Sequence, residues 1–162
     1  MQCPIARALD RVGEWWSILI LRDAFYGATR FDEFERNLGI APNMLARRLK
    51  GLVEAGLFER RRYCERPPRY AYHLTPCGHD FRPVVVAMLA WGNRHFTPEG
   101  PSVRLVDRAT GLDAEPVVVD RISGRPIDSA HFRYEAGPAA TEATRRRIAA
   151  LEAHMTSERG IP

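Results

Sequence analysis

Apolar residues return every three or four positions along the first half of this chain, and that spacing marks a series of short helices. Pro4 to Val12 reads as a first helix, broken by Gly13, and Glu14 to Phe25 as a second that ends near Gly27. The second carries Trp15, Trp16, Ile18, Leu19, Ile20 and Leu21, so it is apolar nearly all round and is expected to lie between the domain and another surface, such as a second subunit. Thr29 stands at capping-box spacing from Asp32, and Phe31, Phe34 and Leu38 recur at helical intervals, giving a third helix closed by Gly39. Pro42 then opens a fourth helix, with Leu45, Leu49, Leu52 and Val53 forming an inward stripe up to Gly56. The opposite face holds Asn43, Met44, Arg47, Arg48 and Lys50. The short connection Gly39 to Ala41 between the two helices is what a helix-turn-helix needs.

The period then changes from helical to alternating. Leu57 to Cys64 and Tyr70 to Leu74 read as antiparallel strands, and Glu65-Arg66-Pro67-Pro68-Arg69 between them blocks regular pairing and makes an exposed tip. Thr75-Pro76-Cys77-Gly78 is a cap-plus-proline start for a long helix of roughly Pro76 to His95, bent at Pro83. Phe81, Val84, Val85, Met88, Leu89 and Trp91 give it a wide apolar surface, which points to dimerisation.

Charge sharpens this picture. Between Asn43 and Arg69 the chain has seven Arg and one Lys against Glu54, Glu59 and Glu65, a net of +5, while the whole chain carries +4. A localised basic patch favours a polyanion, because phosphate contacts release condensed counterions. On that basis Arg47, Arg48, Lys50, Arg61 and Arg62 are candidate DNA contacts, with Asn43 and Met44 nearest the base edges and Arg66 and Arg69 reaching the minor groove or its phosphates. A solvated helix face remains the bland reading of the fourth helix taken alone.

These residues together resemble the HxlR family of bacterial winged-helix regulators, relatives of the MarR type. The matching features are Cys3-Pro4-Ile5, Gly13-x-x-Trp16-x-x-x-Ile20-Leu21, Arg30-Phe31-x-x-Phe34, Gly39-Ile40-x-Pro42-x-x-Leu45-x-x-Arg48-Leu49, Leu52-x-x-x-Gly56-Leu57, Tyr70-x-Tyr72-x-Leu74-Thr75-Pro76-x-Gly78 and Trp91-Gly92. The resemblance covers residues 1–96 and adds Arg30 to the candidate DNA contacts. It implies a homodimer on a pseudo-palindromic operator of double-stranded DNA, with each Pro42–Ala55 helix in the major groove. Members of this family often sense oxidants through a cysteine near the N-terminus, a place Cys3 occupies, so Cys3 is a candidate redox sensor. The residue-level alternative is a thiol that packs as a small hydrophobe, which is also the reading of Cys64 and Cys77.

After Trp91-Gly92 the composition shifts. Residues 97–101 read as a linker, 102–136 as a small β module and 137–162 as a terminal helix and tail, following a winged helix-turn-helix domain over 1–96. Val106-Asp107-Arg108-Ala109-Thr110-Gly111 is echoed 13 residues later by Val119-Asp120-Arg121-Ile122-Ser123-Gly124. Strands over Val103–Arg108 and Glu115–Arg121, with a further one near His131–Tyr134, would make a sheet like a zinc ribbon that has lost its ligands. No metal is expected, since the turns lack Cys. Ile148, Leu151 and Met155 mark the terminal helix, whose first turns hold Arg145, Arg146 and Arg147.

The fold class expected is therefore α+β. The function expected is a DNA-binding transcriptional regulator, a homodimeric repressor released by a small molecule or a redox signal. A sequence-tolerant architectural DNA binder and a protein-interaction module are the alternatives. An enzyme is not indicated, because His73, His79, His95, His131 and His154 are scattered and no phosphate loop or nucleophile motif accompanies them. The longest apolar run, Val84 to Trp91, has eight residues, against roughly 20 for a membrane span. With three scattered cysteines and no cofactor signature, a cytoplasmic setting is the simplest expectation.

Overall fold

The helical periods of the first half fold as α1 (Pro4–Val12), α2 (Trp15–Phe25), α3 (Phe31–Leu38) and α4 (Pro42–Glu54) in a computed structural model. It describes residues 3–128 and 130–159. Contacts divide the chain into two compact units, Ile5–Val117 and the described residues from Val118 onward with Cys3 and Pro4. The core of the first unit forms where α2 packs against α3 and α4. Ile20, Leu21, Phe34, Leu45, Leu49, Leu52 and Phe58 are fully buried there, and the rings of Phe34 and Phe58 meet edge to face at 6.4 Å. Each such side chain contributes about 1.5–3 kcal/mol of hydrophobic stabilisation. The expected burial of α2 on all sides holds for its inner face. Its first residue, Trp15, is 60% exposed and stacks on Trp16.

The turn between α3 and α4 follows from Gly39, whose φ of 59° lies in the left-handed region, and from Pro42 in the first turn of α4. The cap of α3 differs from the Thr29/Asp32 expectation. Glu33 does the capping, its Oε2 accepting from the backbone N–H groups of Thr29 (2.8 Å) and Arg30 (2.9 Å). Asp32 is one residue too early to reach back to those donors. Both donors hold the Glu33 carboxyl below its ordinary pKa.

Strands β1 (Phe58–Cys64) and β2 (Arg69–Leu74) pair antiparallel, with a bulge between Arg62 and Cys64. A bridge from Arg30 to Ala71 and a Tyr72 N–H···O Thr29 bond of 2.7 Å tie this hairpin to the entry of α3. Thr75 locks its base: Oγ1 donates to the Gly56 carbonyl at 2.6 Å and accepts from the Gly78 N–H at 3.1 Å. A Cβ on Gly78 would come within 2.2 Å of the Leu57 carbonyl oxygen, so only glycine fits.

The single bent helix expected over Pro76–His95 is instead two, α5 (Pro76–His79) and α6 (Arg82–His95). Pro83 has no N–H to give a preceding turn, so it lies in the first turn of a new helix rather than inside an old one. In α6 no residue is fully buried, and Val84, Met88 and Trp91 are exposed.

The small sheet expected in residues 102–136 does not form among the described residues. Each repeat instead folds back on its own downstream arm, leaving isolated bridges Val106 to Asp113 and Val119 to Pro126. The reason lies in the aspartates. Asp107 accepts from the N–H groups of Ala109 and Thr110 at 2.8 Å, and Asp120 from that of Ser123 at 2.8 Å, so each chain reverses before a strand can extend. Asp128 repeats the device with Ala130 and His131, where the strand near His131–Tyr134 was expected. No cluster of three or more His, Cys, Asp or Glu fit for a metal occurs among the described residues. The terminal helix α7 (Glu142–Arg159) starts after Thr141, with Ile148 half-buried and Leu151 37% exposed. The Met155 side chain lies outside the described residues.

Because the folded pKa of Glu33 is lowered, its stabilisation is present above the ordinary glutamate range and is lost as pH falls through the folded value. Glu33→Ala is expected to cost about 1 kcal/mol at neutral pH. The gap from wild type, measured by urea denaturation, should shrink below about pH 4. A gap independent of pH would contradict the cap.

Candidate nucleic-acid interface

Helix geometry sorts the side chains of α4. At about 100° per residue, Leu45, Leu49 and Leu52 define an inward direction from which Asn43, Arg47 and Lys50 are turned by roughly 130–170°, while Arg48 is turned by only about 65°. The structure follows this. Asn43, Arg47 and Lys50 are exposed; Met44 and Arg48 are half-buried. Arg47 leans on its neighbour, with Nη2 3.0 Å from the Met44 sulfur, and Lys50 lies 3.7 Å from Glu54 one turn on.

Arg48 is drawn away from the outer face. Its Nη2 pairs with Glu14 Oε2 at 2.8 Å, its side chain is 19% exposed, and its Nε is buried without a partner among the described residues. Glu14 is the N-cap residue of α2, so this pair joins the start of α2 to the middle of α4. Thirty-four positions separate the two residues, and no local sequence signal links them.

The hairpin sorts its arginines in the same way. Arg61 pairs with Glu59 on the same strand face. Arg62 braces the tip from inside, donating to the carbonyls of Cys64 (3.2 Å) and Glu65 (2.8 Å) and lying 3.1 Å from the Glu65 carboxylate. Arg66 and Arg69 are exposed at the tip, with no side-chain partner among the described residues. Arg60, outside the expected contact set, is exposed with its guanidinium 4.1 Å from the Tyr70 ring centroid. Arg30 sits 4.9 Å from the Tyr63 ring, at the junction of α3 and the hairpin. Among the described residues Arg47, Arg60, Arg66 and Arg69 therefore carry positive charge with no carboxylate beside it.

Cys3 is exposed just before α1. Cys64 is half-buried, with its sulfur 3.8 Å from the Arg66 carbonyl oxygen. Cys77, expected to pack, is exposed in α5.

A three-residue turn between α3 and α4 followed by a basic hairpin defines a winged helix-turn-helix protein. The model of the HxlR-like helix-turn-helix family matches residues 11–100, and the chain belongs to that family. Its relatives include an uncharacterised HTH-type transcriptional regulator of Mycobacterium tuberculosis, 41% identical over 135 residues that span 83% of this chain and 85% of that one. The solved structure of the candidate transcription factor PA1374 of Pseudomonas aeruginosa is 55% identical, with a TM-score of 0.64 over 90% of this chain and 99% of that one. The redox regulator HypR in its oxidised form is 33% identical, with a TM-score of 0.53 over 57% of this chain and 97% of its own. The first two matches must extend past the family region into the C-terminal third; the HypR match spans little more than the winged-helix part. The chain is a transcriptional regulator with a helix-turn-helix domain, and regulators of this kind bind DNA. No helix among the described residues is long and apolar enough to cross a membrane.

Glu14→Ala leaves the half-buried Arg48 guanidinium without its carboxylate. Since Glu14 is 58% exposed, solvent screening limits the effect, and a loss of about 0.5–1 kcal/mol in urea denaturation is expected. Adding Arg48→Met removes the stranded charge and should recover most of that loss, whereas additive losses would contradict the pairing.

Proposed function

We propose that this chain is a homodimeric repressor that binds a pseudo-palindromic operator and is released by a small molecule or a redox signal. The observation that carries the reading is the split among its arginines. Arg48, Arg61 and Arg62 are occupied within the fold, while Arg47 on α4 and Arg60, Arg66 and Arg69 on the wing present charge with no carboxylate neighbour. Cations left unneutralised on an exposed helix and an exposed tip suit a duplex backbone. Asn43 and Arg47 on the outer face of α4 read base edges, and Arg66 and Arg69 hold the flanking phosphates or the minor groove. Lys50 is a phosphate contact. Arg30, Met44, Arg48, Arg61 and Arg62 act chiefly by setting the positions of these groups.

Dimerisation is supported by exposed apolar side chains on α6 (Val84, Met88, Trp91) and on α1 (Ile5, Leu9). A two-fold dimer sets half-sites about one helical turn apart. For release by oxidation the candidate is Cys3, exposed beside α1. The similarity to HypR, a redox regulator, supports that route. Oxidation that leaves operator affinity unchanged, or that still abolishes it in Cys3→Ser, would count against it.

Fluorescence anisotropy against the chain's own upstream duplex, read across a salt series, tests the arginine assignment. Arg66→Ala and Arg69→Ala should each lower the slope of log affinity against log salt by about one and weaken all sequences alike. Arg47→Ala should relax preference at one base position, costing about 1–3 kcal/mol on the preferred duplex. Arg61→Ala should leave the slope unchanged. Equal affinity of the wild type for upstream and scrambled duplexes would favour an architectural binder, and no binding at low salt a protein-interaction module.

A further inference from the structure

The outer face of α2 and the inner flank of α6 enclose a cavity of about 290 Å³, walled by apolar side chains such as Ile18, Phe25, Val86 and Leu89. Segment Val103–Leu105 closes a third side and is held there: Asn93 Nδ2 on α6 donates to the Val103 carbonyl at 2.9 Å, and the Ala114 N–H to the Leu105 carbonyl at 2.8 Å. The volume is near the lower end of small-molecule sites, roughly 300–1,000 Å³. Ile18 and Leu19, which line the cavity, lie outside the core cluster, so the cavity explains why that helix is apolar beyond its inner stripe.

Three arginines line this otherwise apolar space, Arg22, Arg82 and Arg104. Two are neutralised. Arg22 donates through Nε and Nη2 to Asp23 Oδ1 at 3.0 and 2.8 Å, and Arg104 lies 3.2 Å from Asp113. Arg82, the first residue of α6, has no carboxylate beside it among the described residues. The cavity thus offers a greasy body site with one net positive charge. Val84 and Trp91, prominent on the exposed face of α6, are not among its lining residues, whereas Met88 on that face is, so the cavity borders the proposed dimer surface.

We infer that this cavity is an effector site for a small apolar monocarboxylate, its hydrocarbon body between α2 and α6 and its carboxylate on Arg82. A dianion would face only one uncompensated cation, and a neutral compound would leave that cation unused. Helix α2 is also the route from the cavity to the DNA surface, because it packs against α4 and its N-cap Glu14 holds Arg48. A ligand that shifts α2 against α6 therefore biases how α4 is presented. This names the effector class for the repressor reading above and rests on it only for the consequence at DNA.

Isothermal titration of the full chain without DNA, using 4-phenylbutyrate and its amide, tests the site apart from any DNA activity. One acid per chain is expected, bound about tenfold more tightly than the amide. In Arg82→Gln that preference should vanish, with amide affinity and melting temperature unchanged, since Arg82 is exposed. No binding of either probe, equal binding of both, or a preference that survives Arg82→Gln would overturn the site. In a separate operator titration, saturating acid should shift the affinity at least about fivefold. An unshifted affinity in a chain that binds both acid and operator would overturn the effector role, whereas a chain that binds acid but no duplex leaves the site standing and removes the repressor reading.

Discussion

The burial of Leu45, Leu49 and Leu52 against Ile20 and Leu21 of α2 and Phe34 of α3 is the constraint on which the rest of this fold depends. A helix can present a chosen face to a groove only if its rotation is fixed from behind, and three leucines at helical spacing fix it. The same packing explains why neighbouring arginines differ so sharply. Arg47 lies nearly opposite the stripe and faces solvent. Arg48, three residues after Leu45 and four before Leu52, lies on the stripe's flank and is taken up by Glu14.

The wing is held by an equally local device. Thr75 and Gly78 clamp its base to the carbonyls that follow α4, through a side-chain bond and through a contact too close for any Cβ. With the base anchored, the arginines of the hairpin divide by reach. Those that find a carboxylate or carbonyl nearby stiffen the hairpin, and those at the Pro67-Pro68 tip stay uncompensated. Counting basic residues locates this surface, but packing decides which of them are available.

Much of this was legible before the structure. Periodicity placed the first four helices and the hairpin to within a residue or two, because amphipathic stripes and turn residues act locally. What escaped depended on partners distant in sequence or on competition between near-equivalent local options. The Arg48–Glu14 pair needed the tertiary packing of α2 on α4, although the flank position of Arg48 was computable from helix geometry alone. Glu33 outcompeted Asp32 for the α3 cap because a carboxylate one position later reaches two backbone donors instead of none. Pro83 was rightly seen as disruptive, yet whether a proline bends a helix or begins one depends on the preceding turn. In the C-terminal third, Val-rich segments have strand propensity, but Asp107 and Asp120 recruit the backbone donors just after them and turn the chain back.

The central claim is that α4 and the wing, held in this geometry, read DNA as a two-fold pair. Hydroxyl-radical footprinting of the full chain on its own upstream duplex tests it most directly. The account predicts two symmetry-related protected segments, their centres about one helical turn apart, each with a flanking patch from the wing. Uniform protection along the duplex, or one unpaired segment, would contradict it.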